Sequence, residues 1–525
     1  ETYALIFFIM SDSIMTEDTV SPNLDFLVRQ VLTSRVYEVS KETPLDPANK
    51  LSRRLRNNIK LKREDLQPIF SFKIRGAYNK IAQLSPQDQK KGVITASAGN
   101  HAQGVAFAAE RLGLRAIIVM PQTTAAIKIE AVRAMGAEVV LEGDSFADAM
   151  ERCEKLAHQT GLIFVHPFDD PLVVAGQGTI GDEILRQSRG QLDAVFVPVG
   201  GGGLIAGIAG FIKALNPAVR MIGVEPFEAD AMYRSLEAGR RVQLDHVGIF
   251  ADGVAVREVG EYTMPIAQAT VDEVVRVTND EICASVKDIF DDTRTIMEPA
   301  GALAVAGLKS YVEREAIRDK HLVALLSGAN MNFDRLRFVA ERAELGEARE
   351  TVLGVTIPER PGAFREFCSA IGRRVITEFN YRLSHRDQAH IFVGVGTSSK
   401  NDATKLSSSL NELGYKTVDL SGSEVAKLHV RHMVGGHAVD TEHEVLCRFE
   451  FPERPGALMH FLDALGDRWN ISLFHYRNHG ADFGRVLAGF EIPKSDRDQF
   501  TAFLERLGYP YHLELESSAY DLFLS

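Results

Sequence analysis

Cysteine is scarce in this sequence, and the four that occur, Cys153, Cys283, Cys368 and Cys447, are far apart. They form no Cys-x-x-Cys pair of the kind that binds zinc or works as a redox dithiol. Scattered thiols are typical of proteins in a reducing compartment. The sequence therefore predicts a cytoplasmic protein.

An excess of positive charge is also missing, because 59 Lys and Arg stand against 71 Asp and Glu, for a net charge of −12. Proteins that bind nucleic acid usually carry a basic surface, so we expect no nucleic acid as a partner. Small molecules are the expected partners instead.

Long hydrophobic runs are missing as well. The apolar stretch 3–10 is too short to span a bilayer, and it lacks the basic flank and the cleavage site of a signal peptide. We expect no membrane partner. Residues 1–25 are interpreted as an N-terminal extension, predicted to be disordered, with the true start at Met10 or Met15.

Between residues 26 and 340, short β-branched runs alternate with helical stretches. This alternation predicts an α/β fold of two lobes, in which parallel sheets are covered by helices and ligands bind at the carboxyl ends of the strands. The predicted strands are 93–95, 116–120, 138–141, 162–165, 194–199, 221–224 and 322–326.

The C-terminal part contains an internal repeat. The segment 358–363, Pro-Glu-Arg-Pro-Gly-Ala, recurs at 452–457, and each copy lies in a strand, turn, helix, strand, strand pattern. The pattern predicts two ferredoxin-like βαββαβ subdomains, at 351–425 and 445–517, behind a charged helical connector at 341–350. Paired small-molecule sensor modules are the expected function.

Lys73 is the first candidate for chemistry. A lysine is ordinarily a solvated surface amine. Here Phe72 and Ile74 predict partial burial, and Arg75 adds a nearby positive charge. Both effects would lower the pKa of the amine and free it to attack a carbonyl.

A run of glycines forms the second candidate site. Gly200, Gly201, Gly202 and Gly203 follow a buried-strand pattern and lead into Leu204. Consecutive backbone N–H groups at a helix start can hold a phosphate, although a tight strand-to-helix turn would look the same. The spacing matches neither the dinucleotide fingerprint nor the nucleotide-triphosphate loop, so a single compact phosphate is favoured.

Three polar residues follow predicted strands and complete the candidate site. Ser97 lies where backbone donors at a helix start suit a carboxylate, and the Asn100 amide suits a phenolate-like oxygen. Ser327 ends another strand with a hydroxyl directed at the cleft. Helix caps and a turn are the alternatives for these residues. His101 receives no catalytic role.

In their order along the chain, the segments 71–77, 95–104, 198–204 and 326–330 resemble the biosynthetic threonine ammonia-lyase (threonine dehydratase) family, with the tryptophan-synthase-β-like fold (PLP fold type II). The resemblance implies a pyridoxal 5'-phosphate cofactor. It implies that Lys73 carries this cofactor covalently, Asn100 contacts its 3-oxygen, Gly200 to Leu204 hold its phosphate, Ser327 faces its ring nitrogen, and Ser97 binds the substrate carboxylate.

The same resemblance implies the activity and its control. The expected reaction is α,β-elimination from L-threonine, and also L-serine, which yields 2-oxobutanoate and ammonia from threonine as the first step of isoleucine biosynthesis. It also implies two ACT-like domains that sense isoleucine as inhibitor and valine as activator, in a homotetramer. Tyr381 and Tyr476, at equivalent positions of the repeat, are candidates for the effector site, with buried strand aromatics as the alternative.

A metal is not expected, although part of a cation site found in related racemases and dehydratases is present. Glu225 and Ala229 match two of its three positions, but the third is Ala231, with Asp230 beside it. The segment 298–302, Glu-Pro-Ala-Gly-Ala, also resembles the family, and its glutamate could simply cap a helix.

Four alternatives remain open from the sequence. A serine or threonine racemase would share Lys73 and the phosphate site but needs a second acid/base group on the opposite face. A degradative dehydratase typically lacks the doubled C-terminal region. A catalytically silent amino-acid sensor would bind no cofactor. The repeat could also serve oligomerisation alone.

Overall fold

The computed structural model describes residues 22–122, 124–143, 146–333, 335–347, 349–382, 387–423, 426–427, 430–432, 443–452, 456–477 and 483–513. The chain divides into two compact units between Ala343 and Glu344. Met10 and Met15, with most of the predicted extension, lie outside the described residues. Helix α1 nevertheless begins at Leu24, inside the segment predicted to be disordered, because Asn23 caps its first turn.

The first unit alternates strands and helices. Its strands are β1 (Leu45–Pro47), β2 (Asn58–Arg63), β3 (Val93–Ala96), β4 (Ala116–Met120), β5 (Glu138–Leu141), β6 (Ile163–Phe164), β7 (Ala194–Pro198), β8 (Arg220–Pro226), β9 (Glu273–Val277) and β10 (His321–Leu326). Its helices are α1 (Leu24–Leu32), α2 (Asn49–Leu55), α3 (Lys73–Ala82), α4 (Pro86–Lys91), α5 (Asn100–Leu112), α6 (Ala126–Ala134), α7 (Phe146–Thr160), α8 (Pro171–Ser188), α9 (Gly203–Leu215), α10 (Ala231–Ala238), α11 (Thr263–Thr270), α12 (Asn279–Thr293), α13 (Pro299–Glu315) and α14 (Arg335–Gly346).

These strands form two sheets, one for each predicted lobe. The larger has the order β1-β2-β10-β7-β8-β9 and is parallel except for the β1–β2 pair. The smaller has the order β5-β4-β3-β6 and is parallel throughout. Central strands such as β7 and β4 are buried along their whole length, as strands covered on both faces must be. The parallel α/β prediction is confirmed.

Helix α3, which begins with Lys73, is held closely against α8. A Cβ added to Gly176 would lie 2.7 Å from the Cα of Gly76. Real side chains do not tolerate such a contact, so the two helices meet backbone to backbone at these glycines. Lys73 therefore lies at the start of a helix that this contact holds in place.

A buried ion network fixes the same helix from the other side. The Arg75 guanidinium donates to both carboxylate oxygens of Glu64 and to both of Glu183, at distances from 2.6 to 3.1 Å. The Lys62 amine donates to Glu183 over 2.5 Å and to the carbonyl of Thr43 over 2.6 Å. All four charged side chains are buried, and two cations balance two anions. Burial of charge is acceptable only when it is paired and hydrogen-bonded in this way.

The second unit contains both repeats. Its strands are β11 (Glu350–Pro358), β12 (Ile376–Arg382), β13 (Gln388–Gly396), β14 (Lys416–Asp419), β15 (Glu444–Pro452), β16 (Asn470–Arg477), β17 (Phe483–Glu491) and β18 (Tyr511–Leu513), with helices α15 (Ala363–Ile371), α16 (Lys400–Glu412), α17 (Ala457–Leu465) and α18 (Arg497–Leu507). Each repeat is a βαββαβ module, so the ferredoxin-like prediction is confirmed.

The two modules share one antiparallel sheet, of order β14-β11-β13-β12-β16-β17-β15-β18. They join where β12 pairs with β16, with Asn380 opposite His475. Aromatic side chains from both modules, including Phe364, Phe379 and Phe474, lie in a common core. The two repeats therefore fold together around one sheet and one core. Within the described ranges, no helix is both long enough and apolar enough to span a bilayer.

Candidate active site

Lys73 lies at the first position of α3 and is partly buried. Its Nζ donates to the backbone carbonyl of Pro167 over 2.7 Å and lies 5.3 Å from the centroid of the Phe72 ring. Burial lowers the pKa of Lys73 to about 8. The amine is thus neutral more often than a surface lysine, as a nucleophile requires.

The predicted contribution of Arg75 to this shift is wrong. Arg75 extends from α3 towards Glu64 and Glu183, whose carboxylates pair with its charge. Burial alone lowers the pKa of Lys73. Residues two apart on a helix do not face each other, so the side chains of Lys73 and Arg75 point to different sides of α3. The linear sequence does not show this.

The glycine loop lies next to the carbonyl that Lys73 contacts. It connects β7 to α9, and Phe168, the neighbour of Pro167, packs directly on it. A Cβ on Gly201 would lie 2.3 Å from the Phe168 ring, and one on Gly203 would lie 2.6 Å from the Phe168 carbonyl oxygen. Any residue with a Cβ at position 201 or 203 would therefore clash with Phe168. The segment around Phe168 therefore joins Lys73 and the loop.

The loop is also held in an unusual conformation. Gly202 has a φ of +95°, a value that residues with a Cβ rarely adopt. The carbonyl of Gly201 accepts from Thr263 Oγ1 over 2.7 Å and from the backbone of Gly260 over 3.0 Å. The segment from Gly200 to Leu204 forms this loop and the beginning of helix α9. Backbone donors at this helix start suit an anion such as a phosphate.

Ser327 is brought beside the lysine by a short backbone contact. Ser71 forms a β-bridge with Gly328, and the N–H of Phe72 donates to the Ser327 carbonyl over 3.2 Å. The buried Ser327 hydroxyl lies 3.3 Å from the carbonyl of Ala300, to which it donates. Backbone hydrogen bonds thus join the end of β10 to the start of α3 at the site.

Asn100, the first residue of α5, is held at both ends of its amide. Its Nδ2 donates to Glu298 Oε1 over 2.6 Å, and its Oδ1 accepts from Asn330 Nδ2 over 2.7 Å. Glu298 is at the N-cap of α13, but its side chain makes no capping bond there and reaches Asn100 instead. Simple helix capping, the alternative left open for this glutamate, is therefore excluded.

Ser97 follows β3, and its backbone N–H donates to the carbonyl of Val119 on β4. Its Oγ accepts from the N–H of Gly99 over 3.3 Å. Neighbouring His101 is buried, with Nε2 3.0 Å from the carbonyl of Val165, and burial lowers the pKa of His101 to about 3. The His101 ring therefore stays neutral at physiological pH.

Glu225 binds the start of helix α10. Its buried carboxylate accepts from the backbone N–H groups of Met232 and Tyr233, in the first turn of α10, and burial raises the pKa of Glu225 to about 8. Asp230 pairs with Arg234 and Arg276. No group of three side chains suited to a metal occurs in the part of the chain that the structure describes.

The sequence reasoning missed residues 166–170, His-Pro-Phe-Asp-Asp. Besides the Pro167 carbonyl and the Phe168 ring, this segment supplies Asp169, whose carboxylate accepts from the N–H groups of Glu261, Tyr262 and Thr263. It thereby fixes α11, which supports the glycine loop. A proline–aromatic pair directly after a predicted strand was the available signal, because loops at strand ends carry sites.

The regulatory candidates lie in the second unit. Tyr381 lines a small depression between α15 and α17 and donates to Glu359 over 2.6 Å; Asn470 donates to the same carboxylate over 3.1 Å. The cavity volume of this depression is only about 20 Å³, little more than one water molecule needs. Tyr476 packs partly buried against the common core and is not among the residues that line this depression.

The arrangement around Lys73 fits pyridoxal phosphate. A partly buried amine, a glycine loop without room for a Cβ, an amide fixed at both ends and an uncharged hydroxyl adjoin one another in the first unit. Lys73 would hold the cofactor covalently, the loop its phosphate, Asn100 its ring oxygen and Ser327 its ring nitrogen.

Comparison with known proteins agrees with this site. A family model described as "Pyridoxal-phosphate dependent enzyme" matches residues 37–328, and one described as "C-terminal regulatory domain of Threonine dehydratase" matches 341–430 and 435–524. The protein is thus a pyridoxal-phosphate-dependent enzyme of fold type II with a regulatory C-terminal region.

Relatives that match nearly the whole chain identify the family within this class of enzyme. Biosynthetic L-threonine dehydratase of Burkholderia multivorans is 55% identical over 504 residues, which cover 95% of this chain and 99% of the relative. That of Escherichia coli is 51% identical over 499 residues, covering 95% and 97%. A processed threonine deaminase isoform 2 from Solanum lycopersicum has a similar structure, with a TM-score of 0.60 and 52% identity over 61% of this chain and 88% of that one. The chain belongs to the biosynthetic threonine dehydratase family.

Proposed function

We propose that the protein deaminates L-threonine, and also L-serine, by α,β-elimination, and that it produces 2-oxobutanoate and ammonia from threonine as the first step of isoleucine biosynthesis. The observation that carries this proposal is the joining of Lys73, the glycine loop, Asn100 and Ser327 at one site in a chain about half identical to biosynthetic threonine dehydratases over nearly its whole length. Bound pyridoxal phosphate supplies the ring that takes up the electrons released at the substrate Cα.

The residues of the chain then have separate tasks. Lys73 would hold the cofactor covalently, and its Nζ, when free, would remove the proton from the substrate Cα, a task favoured by its lowered pKa. Backbone donors of Gly200 to Leu204 bind the phosphate. Ser97 and its helix start bind the substrate carboxylate. The uncharged Ser327 leaves the ring nitrogen less protonated than an acidic partner would, which favours loss of the β-hydroxyl.

Borohydride reduction tests the proposal directly. The purified protein is reduced and its peptides are mapped, while an unreduced sample is assayed for 2-oxobutanoate formed from threonine. We expect the cofactor adduct on Lys73 and steady release of 2-oxobutanoate. An adduct on another lysine overturns the site, and a colourless protein without product overturns the activity.

Racemisation is measured in the same assay because racemases share the fold. The structure of maize serine racemase is 30% identical, with a TM-score of 0.57, over 61% of this chain and 97% of that one. Chiral analysis of unreacted serine separates the two activities. We expect the residual serine to stay in the L form while product accumulates.

We further propose that the regulatory unit senses isoleucine as an inhibitor and valine as an activator, at the depression lined by Tyr381. An amino acid carries an ammonium, and Glu359 offers a half-buried carboxylate beside the Tyr381 hydroxyl. Because the interior offers only about 20 Å³, a branched-chain amino acid binds only after the depression widens. A ligand that binds one of two states shifts the population towards it.

Removal of the Tyr381 hydroxyl tests this regulatory site. We expect Tyr381→Phe to raise the isoleucine concentration for half-inhibition about tenfold, as loss of a hydrogen bond to a charged group predicts, with an unchanged rate without effector. Tyr476→Phe, at the equivalent position of the second repeat, is the matched comparison and retains a proposed effector role only if it too changes the isoleucine response. An intact enzyme that ignores isoleucine contradicts the regulatory proposal.

A homotetramer and a cytoplasmic location complete the proposal. The four cysteines are buried and lie far apart in the sequence, which suits a reducing compartment. Sedimentation of the intact protein measures the assembly.

A further inference from the structure

The direction of the Asn100 amide has to be assigned, since its oxygen and nitrogen could exchange places. At each end of the amide, the partner can act in only one way, as a hydrogen-bond donor or as an acceptor. Asn330 Nδ2 donates to the backbone carbonyl of Ile69 over 2.8 Å, and this carbonyl can only accept. Asn330 therefore presents a nitrogen to Asn100 and requires an oxygen in return.

Glu298 imposes the same direction from the opposite end. Its Oε1 lies 2.6 Å from Asn100 Nδ2, and an ionised carboxylate only accepts hydrogen bonds. With one Nδ2 hydrogen used by Glu298, the second remains for an acceptor in the cleft. A reversed amide would face the carboxylate with an oxygen and lose both contacts.

Glu298 is built into the site rather than exposed near it. Its side chain is buried, and its backbone N–H donates to the carbonyl of Gly328, beside Ser327. A Cβ on Gly328 would lie 2.5 Å from Glu298 Oε1 and 3.3 Å from Asn100 Nδ2. The glycine of the Ser327 turn thus leaves room for the contact between the carboxylate and the amide.

We infer that Glu298 and Asn330 are positioning residues that fix the Asn100 amide so that its free Nδ2 hydrogen points at the ring oxygen of the bound cofactor. The inference rests on the proposed function, since it takes the cofactor to lie against Asn100. It assigns Glu298 no contact with the substrate and no proton transfer.

The charge on Glu298 gives the inference a pH dependence. Burial and the carboxylate of Asp252 raise the pKa of Glu298 to about 7, while Asn100, Lys128 and Arg335 act to lower it. Above this pKa the ionised carboxylate makes a stronger, charge-assisted hydrogen bond to Asn100. Below it the neutral acid resembles a glutamine, which has the same shape.

The test measures the Kd for pyridoxal phosphate by equilibrium dialysis of the holoenzyme and of its Glu298→Gln variant. At about pH 8.5 we expect the substitution to weaken binding about tenfold, and at about pH 6 to change it less than twofold, because charge assistance is then absent. A ratio of the two Kd values that does not change with pH overturns the inference.

A double-mutant cycle separates positioning from general structural support. In an Asn100→Ala background, Glu298→Gln has no amide to fix, so we expect no further weakening of cofactor binding. Asn330→Ala, an independent variant, should behave in the same way. Equal losses with and without Asn100 contradict the inference, and the melting temperature of each variant shows that it is folded.

Glu225→Gln is the matched control, since Glu225 is an equally buried carboxylate of the same unit that binds backbone N–H groups of α10. We expect it to leave the Kd for the cofactor unchanged. If the wild-type protein binds no pyridoxal phosphate, the proposed function fails and the inference fails with it. If it binds the cofactor but the cycle is additive, the inference alone fails.

Discussion

Lys73→Ala abolishes the 2-oxobutanoate-forming activity, by about 10⁴-fold or more, since the substitution removes both the covalent attachment and the base for the Cα proton. The fold should persist, because Lys73 lies at the start of α3 and its Nζ bonds one carbonyl, that of Pro167. Steady-state assays with threonine measure the loss, and circular dichroism measures the fold. The visible absorption of the purified protein should be weak and removable by dialysis.

Two controls make this result specific. Lys90→Ala, on the exposed surface of α4, removes a lysine that has no place in the site and should leave both colour and rate unchanged. A small primary amine in the assay should restore part of the activity of Lys73→Ala, because a free base can occupy the vacated space. Retention of more than about a hundredth of the wild-type rate by Lys73→Ala would show that another group removes the proton.

Much of the fold could be predicted because its strands are buried on both faces. Strands such as 116–120 and 194–198 are continuous apolar runs, and such runs with helices between them indicate a parallel sheet. Strand β2 (Asn58–Arg63) escaped prediction because charged residues interrupt it. Its Lys62 is fully buried, yet only the fold reveals Glu183 as the partner that makes this possible.

The candidate site divides in the same way. Lys73, the glycine loop and Ser327 belong to short segments with recognisable local chemistry, and the structure brings these segments together. Glu298 acquires its meaning only from Asn100, which lies about 200 residues earlier in the chain. The joining of the two regulatory modules through β12 and β16 depends on pairing between distant strands, for which the repeat gives no register.

The largest expected loss of stability follows from Arg75→Met. The substitution keeps an unbranched side chain of similar length but removes a buried cation, which leaves Glu64 and Glu183 with Lys62 as the remaining buried positive partner. Breaking a buried ion pair from one side typically costs about 3–5 kcal/mol, because the remaining charge is left uncompensated. For a unit of this size we expect the melting temperature to fall by roughly 10 °C, measured by calorimetry.

Arg115→Met is the matched control, since Arg115 also grips a carboxylate with two nitrogens, that of Glu138, but on the exposed surface. Exposed pairs contribute little, so its melting temperature should change by no more than about 2 °C. Adding Glu64→Gln to Arg75→Met restores neutrality in the network and should recover part of the loss. Two outcomes would contradict a role of the buried network in holding α3: equal melting temperatures for the single and double variants, or an equal fall in melting temperature for Arg115→Met and Arg75→Met. The position of Lys73 would then depend on the glycine contact between α3 and α8 instead.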